Sequence, residues 1–242
     1  MIEIRHPKME SSSDTQAAYS EIFSYEGLLQ RDSFYAWIIS LLNPKAGKIL
    51  ADISCGQGRL VASAEELGLH TMGIDFAIEA LRDGQKHSSS ARWIVGDGEQ
   101  LPLKDKSVDY VTHIGSLEHY IQPGCGAREI TRILKPGGIA CILLPNAFGL
   151  FGNIRYVYST GDVFDDGQPL QRYGTRRLWE RLLIDNGLKI IRVVGYGEVE
   201  FPRDSDDIIF LLKKPQKLIR LLLNAFVPVN LSNHFVFICS RA

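Results

Sequence analysis

Residues Ile49 to Gly58, I-L-A-D-I-S-C-G-Q-G, are the most informative about the fold of this chain. An apolar run that ends in a turn of small residues is how a buried parallel strand leads into the N-terminus of a helix. Gly56 and Gly58 give the backbone conformational freedom there and let a ligand approach it closely. We therefore predict a strand–loop–helix unit with a ligand-binding loop at its centre.

Asp52 indicates which ligand this loop binds. A carboxylate directly before the turn repels a phosphate, whereas it attracts a ligand that carries an ammonium or a sulfonium group. Val61 stands where the G-x-G-x-x-G dinucleotide fingerprint has its third glycine. Together these residues predict a nucleoside cofactor without a pyrophosphate, namely S-adenosylmethionine.

The composition sets the class of the protein. With 242 residues, 45% of them hydrophobic, the chain can bury a substantial core in one domain. Its formal net charge of −1 gives no overall field that would recruit nucleic acid or an anionic membrane. The four cysteines form no C-x-x-C pair and the N-terminus lacks the apolar core of a signal peptide, so we expect reduced cysteines and a cytoplasmic protein.

Strand and helix patterns alternate along the chain. Apolar strand patterns cover residues 48–54, 71–76, 92–96, 108–115, 139–145, 188–195 and 234–240, and helical patterns cover 58–67, 77–87, 125–134 and 175–186. Continuous apolar strands separated by helices imply a parallel sheet that is covered on both faces. The predicted fold class is α/β, a doubly wound, seven-stranded, mostly parallel sheet with N-terminal helices and an insertion before the last strand.

We expect residues 1–242 to form a single domain with three parts. Residues 1–44 form a helical cap, with two helices between 15 and 42. Residues 45–146 form the cofactor-binding core, and residues 147–242 add a substrate-side loop, the last strands and a helical insertion at 198–233. Long connections in compact domains often serve as lids or substrate walls.

Carboxylates follow two further predicted strands. Asp75 comes nineteen residues after Gly56 and suits both hydroxyls of a ribose, and Phe76 beside it suits the face of an adenine. Asp97 follows the next strand and can accept a hydrogen bond from an exocyclic adenine amine. Because ligands of open α/β sheets bind at the carboxyl ends of the strands, these residues reinforce the cofactor prediction.

The motifs D-I-S-C-G-Q-G, G-D-G-E-Q-L-P-L, S-V-D-Y-V and R-I-L-K-P-G-G, in this order, resemble those of the class I S-adenosylmethionine-dependent methyltransferases. The resemblance is to their broad small-molecule group and covers about residues 45–146, with a looser match through R-Y-G-T-R-R-L-W-E-R-L-L-I-D-N-G-L. One departure is Ser54, which replaces the first glycine of the family's loop. The resemblance implies a cofactor site made of Asp52, Ser54, Gly56, Gly58, Asp75, Phe76, Asp97, Gly98, Glu99, Ile114 and Gly115.

His119 is the strongest candidate for a general base, since it would follow the fourth strand on a turn that faces the substrate. The alternative, that it only forms a hydrogen bond at a helix end, stays open. The residues expected to contact the acceptor are Tyr19, Tyr25, Asn146, Arg172 and Tyr173. Structural alternatives are core packing for Tyr19 and Tyr25, a turn cap for Asn146 and a solvated loop for Arg172.

Two further features bear on partners. The acidic clusters at 162–166 and 204–207 suit a turn and a helix start better than a metal, so no metal is predicted. Residues 211–226 read as a basic amphipathic helix that contacts a membrane surface or a lipid-like acceptor, or that forms a lid or dimer contact. We expect a monomer or a homodimer.

The predicted activity is methyl transfer to an oxygen, nitrogen or carbon atom of a small molecule, including lipid-, quinone- and sugar-like acceptors. The segment after the fourth strand lacks the N-P-P-Y or D-P-P-F that, in similar enzymes, marks transfer to amino groups of nucleobases or glutamine. Methylation of RNA or protein and a non-catalytic cofactor-binding module stay open as alternatives. The missing third glycine argues against a nicotinamide-dependent oxidoreductase.

Overall fold

The computed structural model describes residues 1–5 and 30–242 of the chain. Seven strands build its main sheet, in the spatial order β4-β3-β2-β5-β6-β9-β8. They are β2 (Ile49–Ile53), β3 (His70–Asp75), β4 (Arg92–Val95), β5 (Val108–Ile114), β6 (Leu134–Pro145), β8 (Leu188–Tyr196) and β9 (His234–Arg241). The predicted α/β class, with its seven-stranded, mostly parallel sheet, is confirmed.

The winding of this sheet reverses next to β2. The chain runs outward from β2 through β3 to β4, and then crosses back to place β5 on the other side of β2. Strands β2 to β6 pair in parallel, whereas β9 runs antiparallel to both β6 and β8. In such sheets a crevice for ligands forms outside the carboxyl ends of the strands at the reversal, here between β2 and β5.

Helices cover both faces of the sheet. They are α1 (Asp32–Leu41), α2 (Arg59–Glu65), α3 (Ile78–His87), α4 (Pro123–Ile133), α5 (Arg155–Thr160), α6 (Arg176–Asp185), α7 (Ser205–Lys213) and α8 (Pro215–Asn224). One buried apolar cluster joins Ile53 to Ile130 of α4 and Trp179 of α6, and a second joins Leu50 to Phe34 of α1. Successive side chains of a strand point to opposite faces, so β2 contributes to both clusters.

A second, two-stranded sheet was not predicted. It pairs β1 (Ile2–Arg5) antiparallel with β7 (Leu170–Tyr173). Residues 1–44 were expected to form a helical cap, with helices between 15 and 42, and no strand was expected there. The first residues nevertheless alternate in exposure as a strand does. Of the two helices expected between residues 15 and 42, α1 is the second, and the first lies outside the described residues.

Two other boundaries differ from the predicted ones. Strand β6 begins at Leu134, five residues before the predicted start, because Leu134 already pairs with Val108. The residues K-P-G-G follow it, and pairing continues between Ile139 and Tyr110. The insertion contains two helices that meet at Lys214, because Pro215 lacks an N–H group and is tolerated only in the first turn of a helix. Asp204 caps α7, and its carboxylate accepts a hydrogen bond from the Asp207 backbone N–H at 2.8 Å. In the described part of the chain, no helix is long and apolar enough to cross a membrane.

Candidate functional site

A cavity of about 830 Å³ lies at the carboxyl ends of β2, β5 and β6. The loop after β2, the segment after β5 and the turn after β6 form its floor. Strand β7, helix α5 and the insertion that carries α8 form its walls. Its position coincides with the reversal of the sheet, where a ligand site is expected.

The loop after β2 has an unusual backbone. Ser54, Gly56 and Gly58 all have positive φ angles, of 54°, 51° and 68°. A Cβ atom at position 58 would lie 2.1 Å from the Trp93 ring, so only glycine fits there. Ser54 stands where the family has glycine and nevertheless adopts the left-handed conformation, with its Oγ 2.8 Å from the hydroxyl of Tyr120.

Asp52 is a buried carboxylate on the cavity floor. The Thr112 hydroxyl donates a hydrogen bond of 2.7 Å to it. Burial raises the pKa of Asp52 to about 7, against the opposing effect of Thr112 and with a smaller contribution from the nearby Asp75. A cationic group in the cavity would offset the unfavourable burial of the ionised Asp52 carboxylate. The residue therefore fits the positively charged amino-acid end of S-adenosylmethionine.

The predicted cofactor residues divide into two groups. Asp52, Ser54, Gly56, Gly58, Ile114 and Gly115 line the cavity. The other five, Asp75, Phe76, Asp97, Gly98 and Glu99, lie at the carboxyl ends of β3 and β4 on the same edge of the sheet, but the cavity wall does not include them. The cavity therefore covers the part of the predicted site that would hold the methionine portion.

Three carboxylates of the second group brace loops in this conformation. Asp75 accepts hydrogen bonds from the backbone N–H groups of Gly56 and Ala77, each at 2.9 Å. Asp97 accepts from the Glu99 N–H at 2.8 Å, and Glu99 accepts from the Gln122 N–H at 3.0 Å. These bonds hold the loops that would contact the adenosine portion.

His119 lies on the cavity wall, in a short 3₁₀ turn after β5. Its Nδ1 is 2.5 Å from the carbonyl oxygen of Leu170. A carbonyl oxygen only accepts, so Nδ1 carries the proton and Nε2 of the neutral ring is an acceptor. Burial lowers the pKa of His119, although the hydrogen bond to the Leu170 carbonyl acts in the opposite direction. Because the pKa is lowered, the ring is neutral near pH 7.

Glu118 is a second ionisable group on this wall. Its side chain is buried, and its Oε2 has no hydrogen-bond partner among the described residues. Burial raises the pKa of Glu118 to about 8, so the carboxyl is mostly protonated at neutral pH. Its Oε1 lies 3.8 Å from Nε2 of His119, too far for a direct hydrogen bond.

His113, by contrast, belongs to the core. It is fully buried in β5, and its Nε2 lies 2.9 Å from the Tyr120 hydroxyl. Burial lowers its pKa to about 3. His113 is not part of the cavity wall.

Only some of the residues predicted to contact the acceptor lie at the cavity. Tyr173 and Asn146 line the cavity, but Oδ1 of Asn146 accepts a hydrogen bond from the Phe148 backbone N–H at 2.9 Å, as the turn-capping alternative requires. The Asn146 amide also donates to the carbonyls of Asn230 (2.9 Å) and Ser232 (2.7 Å). Arg172 does not line the cavity. Tyr19 and Tyr25 lie outside the described residues.

Arg172 instead holds the segment that carries the two ionisable groups. Its guanidinium pairs with Glu3 at 2.7 Å and donates to the backbone carbonyls of Glu118, at 3.2 Å, and Tyr120. Residues of a strand alternate in direction, so β7 turns Gln171 and Tyr173 toward the cavity and Arg172 away from it. The prediction that Arg172 meets the acceptor is corrected on this ground.

Several cavity residues were missed by the sequence analysis. Aromatic ones are Phe34, Tyr35, Phe151, Tyr156, Phe164 and Tyr196, and polar ones are Arg155, Asp166, Glu198, Lys217 and His234. Many of them come from the two long connections that were predicted to be lids or substrate walls. The length of these connections was the sequence feature that could have pointed to these residues. Stacking of Tyr196 on Trp37, with centroids 4.9 Å apart, makes part of this wall rigid.

Metal ligands are not grouped in this region. Across residues 1–5 and 30–242, no cluster of three His, Cys, Asp or Glu side chains is arranged to hold a metal ion. The four cysteines are free thiols, and two of them, Cys141 and Cys239, are buried.

Comparison with known proteins identifies the core of the chain. Residues 51–142 match the model of the methyltransferase domain family. A demethylmenaquinone methyltransferase of Corynebacterium kroppenstedtii is 33% identical over 97 residues, which are 40% of this chain and 42% of the relative. The chain thus spans less than half of that relative's length.

Solved structures share the fold over most of the chain. An S-adenosylmethionine-dependent methyltransferase of Mesorhizobium loti, 15% identical, superimposes with a TM-score of 0.63 over 86% of this chain and 98% of its own. The [4+2]-cyclase SpnF, 16% identical, superimposes with a TM-score of 0.62 over 87% of this chain and 81% of its own. At these identities the likeness establishes the fold alone. With the match of the methyltransferase domain, the resemblance to the class I methyltransferases is confirmed.

Proposed function

We propose that this chain is an S-adenosylmethionine-dependent methyltransferase that acts on a small molecule with an aromatic, quinol-like ring. One observation carries the proposal: a single cavity joins the loop around Asp52 to His119 and to an aromatic wall. The donor and acceptor sites of a methyl transfer must be adjacent, because the reaction is an in-line displacement that depends on positioning.

The donor end of the cavity suits the cofactor. When bound, S-adenosylmethionine supplies a methyl group that its sulfonium makes reactive. Asp52 would neutralise the positive charge at that end, and the left-handed residues Ser54 and Gly56 would present backbone groups to the methionine portion. The fixed shape of this loop means that little ordering is left to occur when the cofactor binds.

The acceptor end supplies a base and a flat apolar surface. His119 is neutral, and the Leu170 carbonyl holds its ring so that Nε2 is the atom that accepts a proton. A phenol or quinol hydroxyl must lose a proton to become a good nucleophile at oxygen or at a ring carbon. The negative charge of the nearby Asp166, which favours the charged ring, would support the imidazolium that forms.

Aromatic side chains favour a planar acceptor. Phe34, Tyr35, Tyr156 and Tyr196 line the cavity, and such rings bind another ring by offset stacking or edge contacts. The Corynebacterium relative is named a demethylmenaquinone methyltransferase, and this name supports a quinone-type acceptor. A volume of about 830 Å³ lies within the range of small-molecule sites.

A second candidate function is a different reaction on the same fold. SpnF, which is named a [4+2]-cyclase, has a similar fold. Methylation of RNA has less support, because the formal net charge of −1 gives no basic surface overall. We further propose a cytoplasmic location, in line with four free cysteines.

A labelled-methyl transfer screen tests the proposal. Purified protein is incubated with methyl-labelled S-adenosylmethionine and a panel of quinols, phenols, sugars and short RNA. We expect label in the quinol or phenol products, and loss of this transfer in His119→Asn but not in the exposed control His87→Asn. Label only in RNA, or consumption of an aromatic acceptor without any label, would overturn the proposal.

A further inference from the structure

Helix α8 is oriented with its apolar side toward solvent. Ile219, Leu222 and Leu223 of α8, with Phe226 in the turn directly after it, follow the spacing i, i+3, i+4, i+7 of one helix face. All four are exposed, Leu222 by 62% and Phe226 by 85%. A helix at the surface of a globular protein normally turns such a stripe to the core. Among residues 1–5 and 30–242, none covers the outer face of α8.

The charged side of α8 faces the protein instead. Arg220 pairs with Glu198 at 2.8 Å and donates to the Phe151 carbonyl at 2.7 Å, and only 16% of its side chain is exposed. Lys217 donates to the Glu198 carbonyl at 3.4 Å and lines the cavity. These contacts fix the orientation of the helix, so its apolar stripe cannot rotate inward without breaking an ion pair.

Helix α7 extends the apolar surface. Its exposed side carries Ile208, Ile209 and Leu212, while Leu211 on the other side is buried. The two helices contact each other and share the turn at Lys214. We call the set of Ile208, Ile209, Leu212, Ile219, Leu222, Leu223 and Phe226 the docking face.

The segment that carries the docking face, residues 208–226, has no acidic residue. Its cations are Lys213, Lys214, Lys217 and Arg220, of which Lys217 and Arg220 face the protein. Lys213 and Lys214 are exposed at the turn between the helices. The acidic groups of the insertion before residue 208 are engaged elsewhere or lie at the far end of α7. Glu198 pairs with Arg220, Glu200 accepts a hydrogen bond from the Tyr196 hydroxyl, Asp204 caps α7, Asp207 pairs with Arg31, and Asp206 is in the first turn of α7.

We propose that the docking face lies on the surface of an anionic lipid bilayer. Large apolar side chains enter the boundary between head groups and acyl chains, and lysines at the rim meet anionic head groups. Neither helix is long enough to span a bilayer, which fits a helix pair that lies in the plane of the surface.

A second copy of the chain fits this face less well. In a two-fold dimer the same patch meets itself, so Lys213 and Lys214 of both copies would come to a common rim. No acidic residue between 208 and 226 is available to pair with them. Like charges at a desolvated rim oppose such a contact, whereas an anionic bilayer neutralises them.

The docking face is also close to the cavity. Lys217 on the inner side of α8 lines the cavity, as does Phe151, whose carbonyl accepts from Arg220. A bilayer on the outer side would therefore lie about one helix diameter, roughly 10 Å, from the cavity wall. The inference does not depend on methyl transfer.

Sedimentation with vesicles tests the docking face. The probes are vesicles of equal parts phosphatidylglycerol and phosphatidylcholine, and vesicles of phosphatidylcholine alone. We expect binding to the anionic vesicles that weakens with added salt, and a loss of about tenfold or more in Ile219→Glu/Leu222→Glu. Lys213→Gln/Lys214→Gln should reduce binding to the anionic vesicles alone by about tenfold or more.

The matched control is Leu67→Glu/Ile184→Glu, which adds the same charge at two other exposed apolar residues, 51% and 54% exposed. It should bind vesicles like the wild-type protein. Unchanged circular dichroism and cofactor binding in each variant exclude unfolding. Failure of the wild-type protein to bind anionic vesicles, or equal losses in the control, would overturn the inference. So would a wild-type dimer, by light scattering, that Ile219→Glu/Leu222→Glu converts to a monomer while vesicle binding is absent.

Discussion

The hydroxyl of Tyr120 lies 2.8 Å from Oγ of Ser54, at the residue where this chain departs from the glycine of its relatives. Ser54 has a φ angle of 54°, which costs a residue with a side chain about 1 kcal/mol relative to glycine. The hydrogen bond to Tyr120 offsets this cost. Tyr120 also reaches Nε2 of His113 at 2.9 Å, so the loop is tied to the core of the sheet.

A pair of substitutions separates the strain from the hydrogen bond. Ser54→Ala keeps the strained backbone and loses the bond, so we expect unfolding to become easier by roughly 1–2 kcal/mol. Ser54→Gly loses the same bond but removes the strain, so its stability should stay within about 0.5 kcal/mol of the wild type. Denaturant unfolding measures both. If Gly were as destabilising as Ala, strain at this residue would be ruled out.

Arg172 gives a second prediction, because it reaches the backbone of the His119 turn and not the cavity. Arg172→Met leaves buried carbonyls of Glu118 and Tyr120 without their donor, which should lower stability by about 2–3 kcal/mol and reduce kcat more than it raises KM. The exposed Arg177→Met is the control and should change neither. A variant with normal thermal stability and only a raised KM would instead show that Arg172 binds the acceptor.

The buried Glu118 predicts a specific dependence of stability on pH. Its carboxyl ionises near its ordinary pKa of 4.5 when the chain is unfolded, but only at about 8 when it is folded. Between these values the folded state binds more protons, so this group makes stability fall as the pH rises. Glu118→Gln should therefore gain roughly 1–3 kcal/mol on the wild type between about pH 5 and pH 8.

Denaturant unfolding across this range measures the effect, with the exposed Glu66→Gln as the control. Parallel stability curves for wild type and Glu118→Gln would contradict the account, because they would mean that Glu118 titrates alike in both states.

His119 should control the rate and not the affinity for the acceptor. His119→Asn keeps a side-chain N–H for the Leu170 carbonyl but removes the accepting Nε2, so kcat should fall by about a hundredfold or more at neutral pH. In the wild type the rate should fall on acidification below the usual histidine range, since burial lowers the pKa of His119. Steady-state kinetics against pH measure both. A His119→Asn variant with an unchanged rate and pH profile would remove His119 as the base.

Sequence patterns predicted the sheet well because its strands are continuous apolar runs between helices. Asp52 was recognisable for a local reason, since a carboxylate just before a glycine loop is chemically distinctive. From the sequence, Glu118 could not be distinguished from the other ionisable residues that follow β5. Its burial depends on β7 packing over the turn after β5, a long-range contact with no signature in either segment.

Two orientations could not be predicted, for a similar reason. The side of β7 that carries Arg172 could not be assigned, because the strand has four residues and pairs with β1, more than 160 residues away in sequence. In α8 the amphipathic pattern defines two faces but not which one meets the protein. The ion pair between Arg220 and Glu198 decides this, and only the folded chain brings these residues together.

Calorimetric titration of the protein with S-adenosylmethionine is the decisive test of the proposed cofactor site. Asp52 has a pKa of about 7, so its ionised fraction, and with it the affinity for the cationic cofactor, should rise about tenfold between about pH 6 and pH 8. Asp52→Asn should bind at least about tenfold more weakly at pH 8 and lose this pH dependence, whereas the exposed Asp185→Asn should match the wild type. Absence of binding, or equal affinity in Asp52→Asn and wild type at every pH, would contradict the account.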